Sequence, residues 1–202
     1  MKISDRVILP LVGSAFQSGK AAEAIEKIED KELAQIAQGE YYFFWAQAEK
    51  CVETVKDYLD HDDVMLRLSA DMLYTFANLT LGDPQAAQRT REDVHQCLTQ
   101  AMQEDAPVNV KAACLFAFYV IIFLHIPPEE GTPPLQQYIP YLPIGQRLFA
   151  VSLLAHEIYL RQDYAKAKGV VQGAFLMADG VYPISMIYLG CVQAMCQINL
   201  KE

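Results

Sequence analysis

The sequence predicts an all-α chain built from antiparallel helical hairpins, and three observations carry that prediction. Strand-period alternation is scarce, while apolar residues recur at helical spacing along nearly the whole chain. Three polar turns separate pairs of such runs, at Ala46 to Ala48, Leu81 to Pro84 and Arg161 to Asp163. A small residue follows each turn at one fixed offset: Cys51, Ala87 and Ala167. Two helices of a hairpin approach most closely just past the turn, where only Ala, Cys or Gly leaves room for both backbones. Cys51 to Ala87 spans 36 residues and Ala87 to Ala167 spans 80, the spacing of a repeat with one irregular member.

In chain order, an opening helix is expected over about Asp5 to Gln17, kinked by Pro10 and closed by Gly19. A second follows over about Lys20 to Glu29, with Ala21, Ala24, Ile25 and Ile28 inward. Short helical turns then run to Ala37, and Gly39 breaks them. From Glu40 an aromatic-rich first arm, Tyr41 to Trp45, precedes a second arm with Cys51, Val52, Val55 and Leu59 inward. Asp62 or Asp63 caps the next first arm, which runs to Thr80, and Asp83-Pro84 starts a second arm reaching about Gln103. Val108 to His125 is another first arm. Pro127, Pro128, Gly131, Pro133, Pro134, Pro140 and Pro143 then forbid a continuous helix, leaving an irregular connection with a short helical piece near Leu135 to Tyr138. The last hairpin spans Leu148 to Ala178, and Pro183 starts a final arm, Ile184 to Leu200, with no second arm to cover it. This organisation is one domain over 1–202: a repeat block 1–126, the Pro-rich connection 127–147 and a second block 148–202.

Composition narrows the function classes. The net charge is −9 and no stretch gathers enough Lys and Arg to track phosphates, which argues against direct nucleic-acid binding. The five cysteines are odd in number, sit in apolar helical patterns and include no C-x-x-C pair, so buried free thiols in a reducing compartment are expected. The first residues, MKISDRVILPLVG, lack a signal-peptide cleavage pattern. The longest apolar run, Ala112 to Ile126, is shorter than the roughly 20 residues of a bilayer span. A cytoplasmic location without membrane contact is the expectation.

In a stacked array of hairpins the first arms line the concave face, so their non-core positions form the default binding surface. Register places Leu33, Ile36, Glu40, Phe43 and Phe44 there from one arm, Met72, Phe76, Leu79 and Thr80 from the next, and Phe149, Ser152, His156 and Tyr159 from the last hairpin. The set suits a small amphipathic ligand or an apolar peptide. The Pro-rich segment, or a second copy of the chain in a homodimer, is the competing cover for it. Lys, Asn and Arg are missing from these positions, which argues against a clamp for a peptide carboxylate.

Catalytic and metal motifs fail on their spacing. His156-Glu157 begins an H-E-x-x-H pattern, but Leu160 stands where the second His is required. His61-Asp62-Asp63 lacks the companion His and Asp of a metal centre and reads as a loop with a helix cap. Residues 13–20, GSAFQSGK, place five residues between the glycines and end in Ala21, unlike a phosphate-binding loop. His95 and Cys97 are two apart on a helix and do not face each other. Cys191 and Cys196 read as small core fillers. No catalytic residue, metal ligand or cofactor is expected, and the chain is not read as an enzyme.

The stretch 148–181, LFAVSLLAHEIYLRQDYAKAKGVVQGAFLMADGV, resembles a tetratricopeptide repeat. Val151, Leu154, Ala155 and Ile158 match its first arm, Asp163 and Tyr164 its turn, and Ala167, Val171 and Ala174 its second arm; Asp179 replaces the closing Pro. The resemblance implies a right-handed α-solenoid of about five tetratricopeptide-like hairpins, interrupted by the Pro-rich connection. A narrower resemblance begins near Gly39. GEYYFFWAQAEKCVETVKDYL, LFAFYVIIFLHIPP, LLAHEIYLRQDYAKA and YPISMIYLGCVQAMCQINLK look similar to the helical-repeat region of LuxR-type transcriptional regulators from anaerobic Gram-positive bacteria. It implies a non-enzymatic regulatory module that binds a small-molecule effector or a protein partner, with a C-terminal helix–turn–helix domain that these residues do not contain. The alternative is a free-standing tetratricopeptide-like scaffold for protein–protein interaction.

Overall fold

The computed structural model describes residues 19–122, 134–177 and 183–201, together with Ser4, Arg6, Leu9, Leu11 and Ala15. These residues form nine α-helices and no strand. The helices are α1 (Ala21–Glu26), α2 (Lys31–Phe44), α3 (Ala48–Val55), α4 (Val64–Leu81), α5 (Gln85–Gln103), α6 (Val108–Ile122), α7 (Ile144–Leu160), α8 (Tyr164–Met177) and α9 (Pro183–Leu200). Short 3₁₀ turns occupy Lys56–Tyr58, Leu135–Gln137 and Ile139–Tyr141.

Local chemistry explains most of the helix ends. Asp30 accepts the N–H groups of Glu32 and Leu33 ahead of α2, and Asp63 accepts that of Met65 ahead of α4. Each carboxylate satisfies donors that a first helical turn leaves free. Asp83 does the same for Gln85 at the start of α5.

Two expectations about α2 and α7 are corrected. Gly39 does not end a helix: α2 runs unbroken through it. A Cβ at Gly39 would stand 2.5 Å from Val55 Cγ1 and 3.3 Å from Leu73 Cδ1, so the glycine is required where α3 and α4 press on α2. The last hairpin begins at Ile144, not at Leu148, because the Arg147 guanidinium folds back onto the carbonyls of Leu142 and Pro140, the latter at 2.7 Å, and ties the connection to the first turn of α7. Of the expected opening helix, Arg6, Leu9 and Leu11 are non-helical and Ala15 is helical. Its remaining residues, and the expected helix ends at His125 and Ala178, lie outside the described residues.

The turns repeat one geometry. Ala46, Gly82 and Gln162 adopt left-handed φ values of 54°, 84° and 65°. In each turn the next N–H returns to a carbonyl five residues back: Gln47 to Tyr42 at 2.9 Å, Asp83 to Asn78 at 2.8 Å, Asp163 to Ile158 at 3.2 Å. This is the Schellman closure of a helix C-terminus. Asp105, with φ 50°, closes α5 likewise through Ala106 and Ala101 at 3.1 Å. Just past the turns Cys51 and Ala167 are fully buried; the side chain of Ala87 lies outside the described set.

Each helix packs on its successor in α2 to α6 and again in α7 to α9, and α2 also meets α4, α4 meets α6, and α7 meets α9. Between α6 and α7 the 3₁₀ turns of the connection touch both helices and bury Leu135 and Leu142. Helix α6 is enclosed all round, buried from Ala112 to Ile121. No described helix is long and apolar enough to cross a membrane.

Left-handed backbone costs an L-residue about 1–2 kcal/mol, part of which Gly returns as unfolded-state entropy. Gly82→Ala is therefore expected to destabilise by about 1 kcal/mol, and Ala46→Gly or Gln162→Gly to stabilise by up to about 1 kcal/mol. Gly39→Ala is expected to cost about 1–3 kcal/mol through overpacking. Urea midpoints at unchanged slope measure all four.

Candidate functional site

Helices α2 and α4 bring Phe43 and Phe76 together with ring centroids 6.1 Å apart, and Phe44 lies 5.6 Å from Phe43. Leu79 is half-buried one turn beyond Phe76 on α4. Helices α7 and α9 build a second group, in which Tyr188 stands 5.9 Å from Phe149 and 5.8 Å from His156, with Tyr159 at 6.3 Å from His156. Phe149 also meets Phe116 of α6 at 6.0 Å. Phe76, Phe149 and Tyr188 pack against the same central core.

Seven of the nine predicted residues are thus half-buried side chains on first arms: Phe43, Phe44, Phe76, Leu79, Phe149, His156 and Tyr159. The other two offer no surface to a ligand. Met72 is core at 2 % exposure, and Ser152, at 0 %, donates its hydroxyl to the Phe149 carbonyl at 2.6 Å. Tyr188 was not anticipated, since the final arm carries no turn from which to set its register. Its only sequence signal is an aromatic residue one and a half turns after the helix-starting Pro183.

The second group is polar where it is deepest. His156 Nδ1 lies 2.5 Å from the Tyr188 hydroxyl. Burial lowers the His156 pKa below the ordinary imidazole value and raises that of the Tyr188 hydroxyl, so a neutral imidazole meets a neutral phenol at neutral pH. Asn199 donates to the Tyr159 hydroxyl at 3.1 Å. The arrangement can hydrogen-bond and stack on a ligand.

A separate polar cluster lies between α4 and α5. Arg67 pairs with Asp93 at 3.0 Å and donates to Cys97 Sγ, while Asp71, 2 % exposed, shares a hydrogen bond with Asp93. Burial first, then the hydrogen bond and charge of Asp93, push the Asp71 carboxyl up to about 9. It is therefore protonated at neutral pH and donates to Asp93. Burial also lifts the Cys97 thiol to about 11 against the pull of Arg67, which leaves it a poor nucleophile. His95 turns away from it, exposed and stacked 6.0 Å from Phe118. Among the described residues no group of three or more His, Cys, Asp or Glu is placed to hold a metal ion.

Cys191 is not a core filler. Helix α9 buries Leu189, Val192 and Cys196 on one side and exposes Ile187, Cys191, Ala194 and Ile198 on the other, with Ile187 at 67 % and Ile198 at 75 %. That spacing makes an apolar stripe along the helix.

Comparison with protein-family models, curated proteins and solved structures finds no match to this chain.

The Asp71 carboxyl has a folded pKa above its ordinary value of 3.8, so its contribution to stability is whole below about pH 4 and is lost as pH rises toward 9. Asp71→Asn, neutral at every pH, is expected to equal the parent near pH 4 and to exceed it by at least ~1 kcal/mol at pH 8. Urea unfolding at the two pH values checks this, and a parent as stable at pH 8 as at pH 4 contradicts it.

Proposed function

We propose that this chain is the non-enzymatic ligand- or partner-binding module of a LuxR-type transcriptional regulator, folded as a right-handed tetratricopeptide-like α-solenoid. One observation supports the reading above others. The same left-handed reversal, with the same five-residue closure, recurs at aligned positions in three hairpins, while successive first arms pack on one another. Repetition of that kind sets one side of successive first arms on a common face, the usual binding surface of repeat arrays. The half-buried aromatic residues of α2, α4 and α7 lie on those arms.

The exposed stripe of α9 supports the regulatory half of the reading. Contiguous apolar surface calls for cover. A DNA-binding domain or another protomer seated on Ile187 and Ile198 would feel any repacking of α7 and α9 around an effector at Tyr188 and His156.

Two measurements test the proposal. The coding sequence beyond Glu202 is expected to encode a helix–turn–helix domain, and a stop codon there would leave the free-standing scaffold instead. Screening against metabolites is expected to find an effector that raises the melting temperature by several degrees, as binding at a hundredfold over Kd does. Phe149→Ala and Tyr188→Phe should reduce that rise; an effector indifferent to both sits elsewhere and removes this face from the assignment.

A further inference from the structure

One short stretch near the start of the chain is bound by three first arms at once. The Ser4 hydroxyl donates to Asp63 Oδ1 at 2.9 Å. Arg6 donates from Nε to Asp30 at 2.8 Å, from Nη1 to Asp63 at 2.9 Å and from Nη2 to Glu32 at 2.8 Å, bridging the N-caps of α2 and α4. The Leu11 N–H donates to Glu40 Oε2 on α2 at 2.8 Å, and Gln146 Nε2 on α7 donates to the Leu9 carbonyl at 2.8 Å. Leu9 packs against both large apolar cores, and Leu11 against the core of α2 to α4 and that of α1.

The two side chains that grip the main chain are the informative ones. Glu40 and Gln146 are each 1 % exposed. A carboxylate or carboxamide in such a place costs several kcal/mol unless it is bonded, and both spend bonds on the backbone of a non-helical peptide. Bonds to backbone atoms hold any sequence. Specificity then falls to the three carboxylates around Arg6 and to the apolar seats of Leu9 and Leu11.

We infer that Asp30, Glu32, Glu40, Asp63 and Gln146 form a docking site for a non-helical peptide with an arginine followed by leucines three and five positions later. The chain's own stretch from Arg6 to Leu11 occupies the site in cis. The inference rests on the binding-module reading and gives the partner its chemistry: a cationic, leucine-bearing segment of another protein, drawn to a site with four carboxylates. Such a partner competes with a tethered occupant whose effective concentration is of millimolar order. The cis stretch thereby sets a threshold that only a better-matched or abundant segment crosses.

The test uses the full chain and a fluorescein-labelled synthetic peptide of residues 1–18, read by fluorescence anisotropy. Leu9→Ala/Leu11→Ala, which loosens the cis stretch, is expected to bind the peptide at least tenfold tighter than the parent chain does. The same peptide carrying Arg6→Ala is expected to lose at least tenfold in affinity, and added salt to weaken the unmodified peptide. A folded double variant that binds neither peptide, or binds both equally, overturns the inference. If the double variant fails to fold by circular dichroism, a full chain with a specific protease site inserted between Ser18 and Gly19 decides. Cut after folding, it should exchange its own stretch for the labelled peptide. A cut chain that stays folded without exchange, or that loses its helices, equally overturns the inference. A metabolite-induced rise in melting temperature that persists when peptide binding fails would sink this inference alone and leave the regulator reading standing.

Discussion

The reversal at the end of each first arm constrains everything downstream of it. A helix leaves its last carbonyls without partners, and here a left-handed residue swings the chain so that the following N–H returns to one of them. Only Gly82 takes that conformation without cost; Ala46 and Gln162 hold it against their own preference. A reversal of fixed shape sends the second arm back along the first at close range. Cys51 and Ala167 are then buried completely, because nothing larger fits. The same closeness explains Gly39, whose missing Cβ receives Val55 from the second arm and Leu73 from the next hairpin.

Against this apolar packing the polar interior follows two strategies. Asp71 gives up its charge: burial makes the protonated form the stable one, and as an acid it donates to Asp93. Glu40 and Gln146 are instead bonded to the main chain of the opening residues. Removing a partner from either arrangement leaves a buried polar group unpaired, which costs more than the lost bond itself. The opening residues are therefore coupled energetically to α2 and α7, although they belong to no helix hairpin.

What could be read in the sequence divides along local and non-local lines. The end of α5 at Gln103, the cap at Asp63 and the start of α9 at Pro183 were legible because a helix boundary is written in the few residues around it. Gly39 misled because its purpose lies in Val55 and Leu73, far along the chain, while its local propensity says stop. Met72 was placed on a surface by treating its helix as two-sided, whereas α4 is packed by α2, α3, α5 and α6 and has little free face. Glu40 stood out as the charged residue beside an aromatic run. Its partner, the Leu11 backbone, and the companions Arg6 and Gln146 carry no periodic signal and become visible only when the chain is folded.

The outward turn of Cys191 has a practical side. Cys51, Cys97, Cys114 and Cys196 are sealed in the interior, and burial holds each of these thiols above its ordinary pKa. A maleimide or iodoacetamide reagent offered to the native protein thus meets one accessible sulfur, set in the middle of the apolar stripe of α9. Nature has left a single attachment point for a fluorophore or spin label on the surface whose covering is in question.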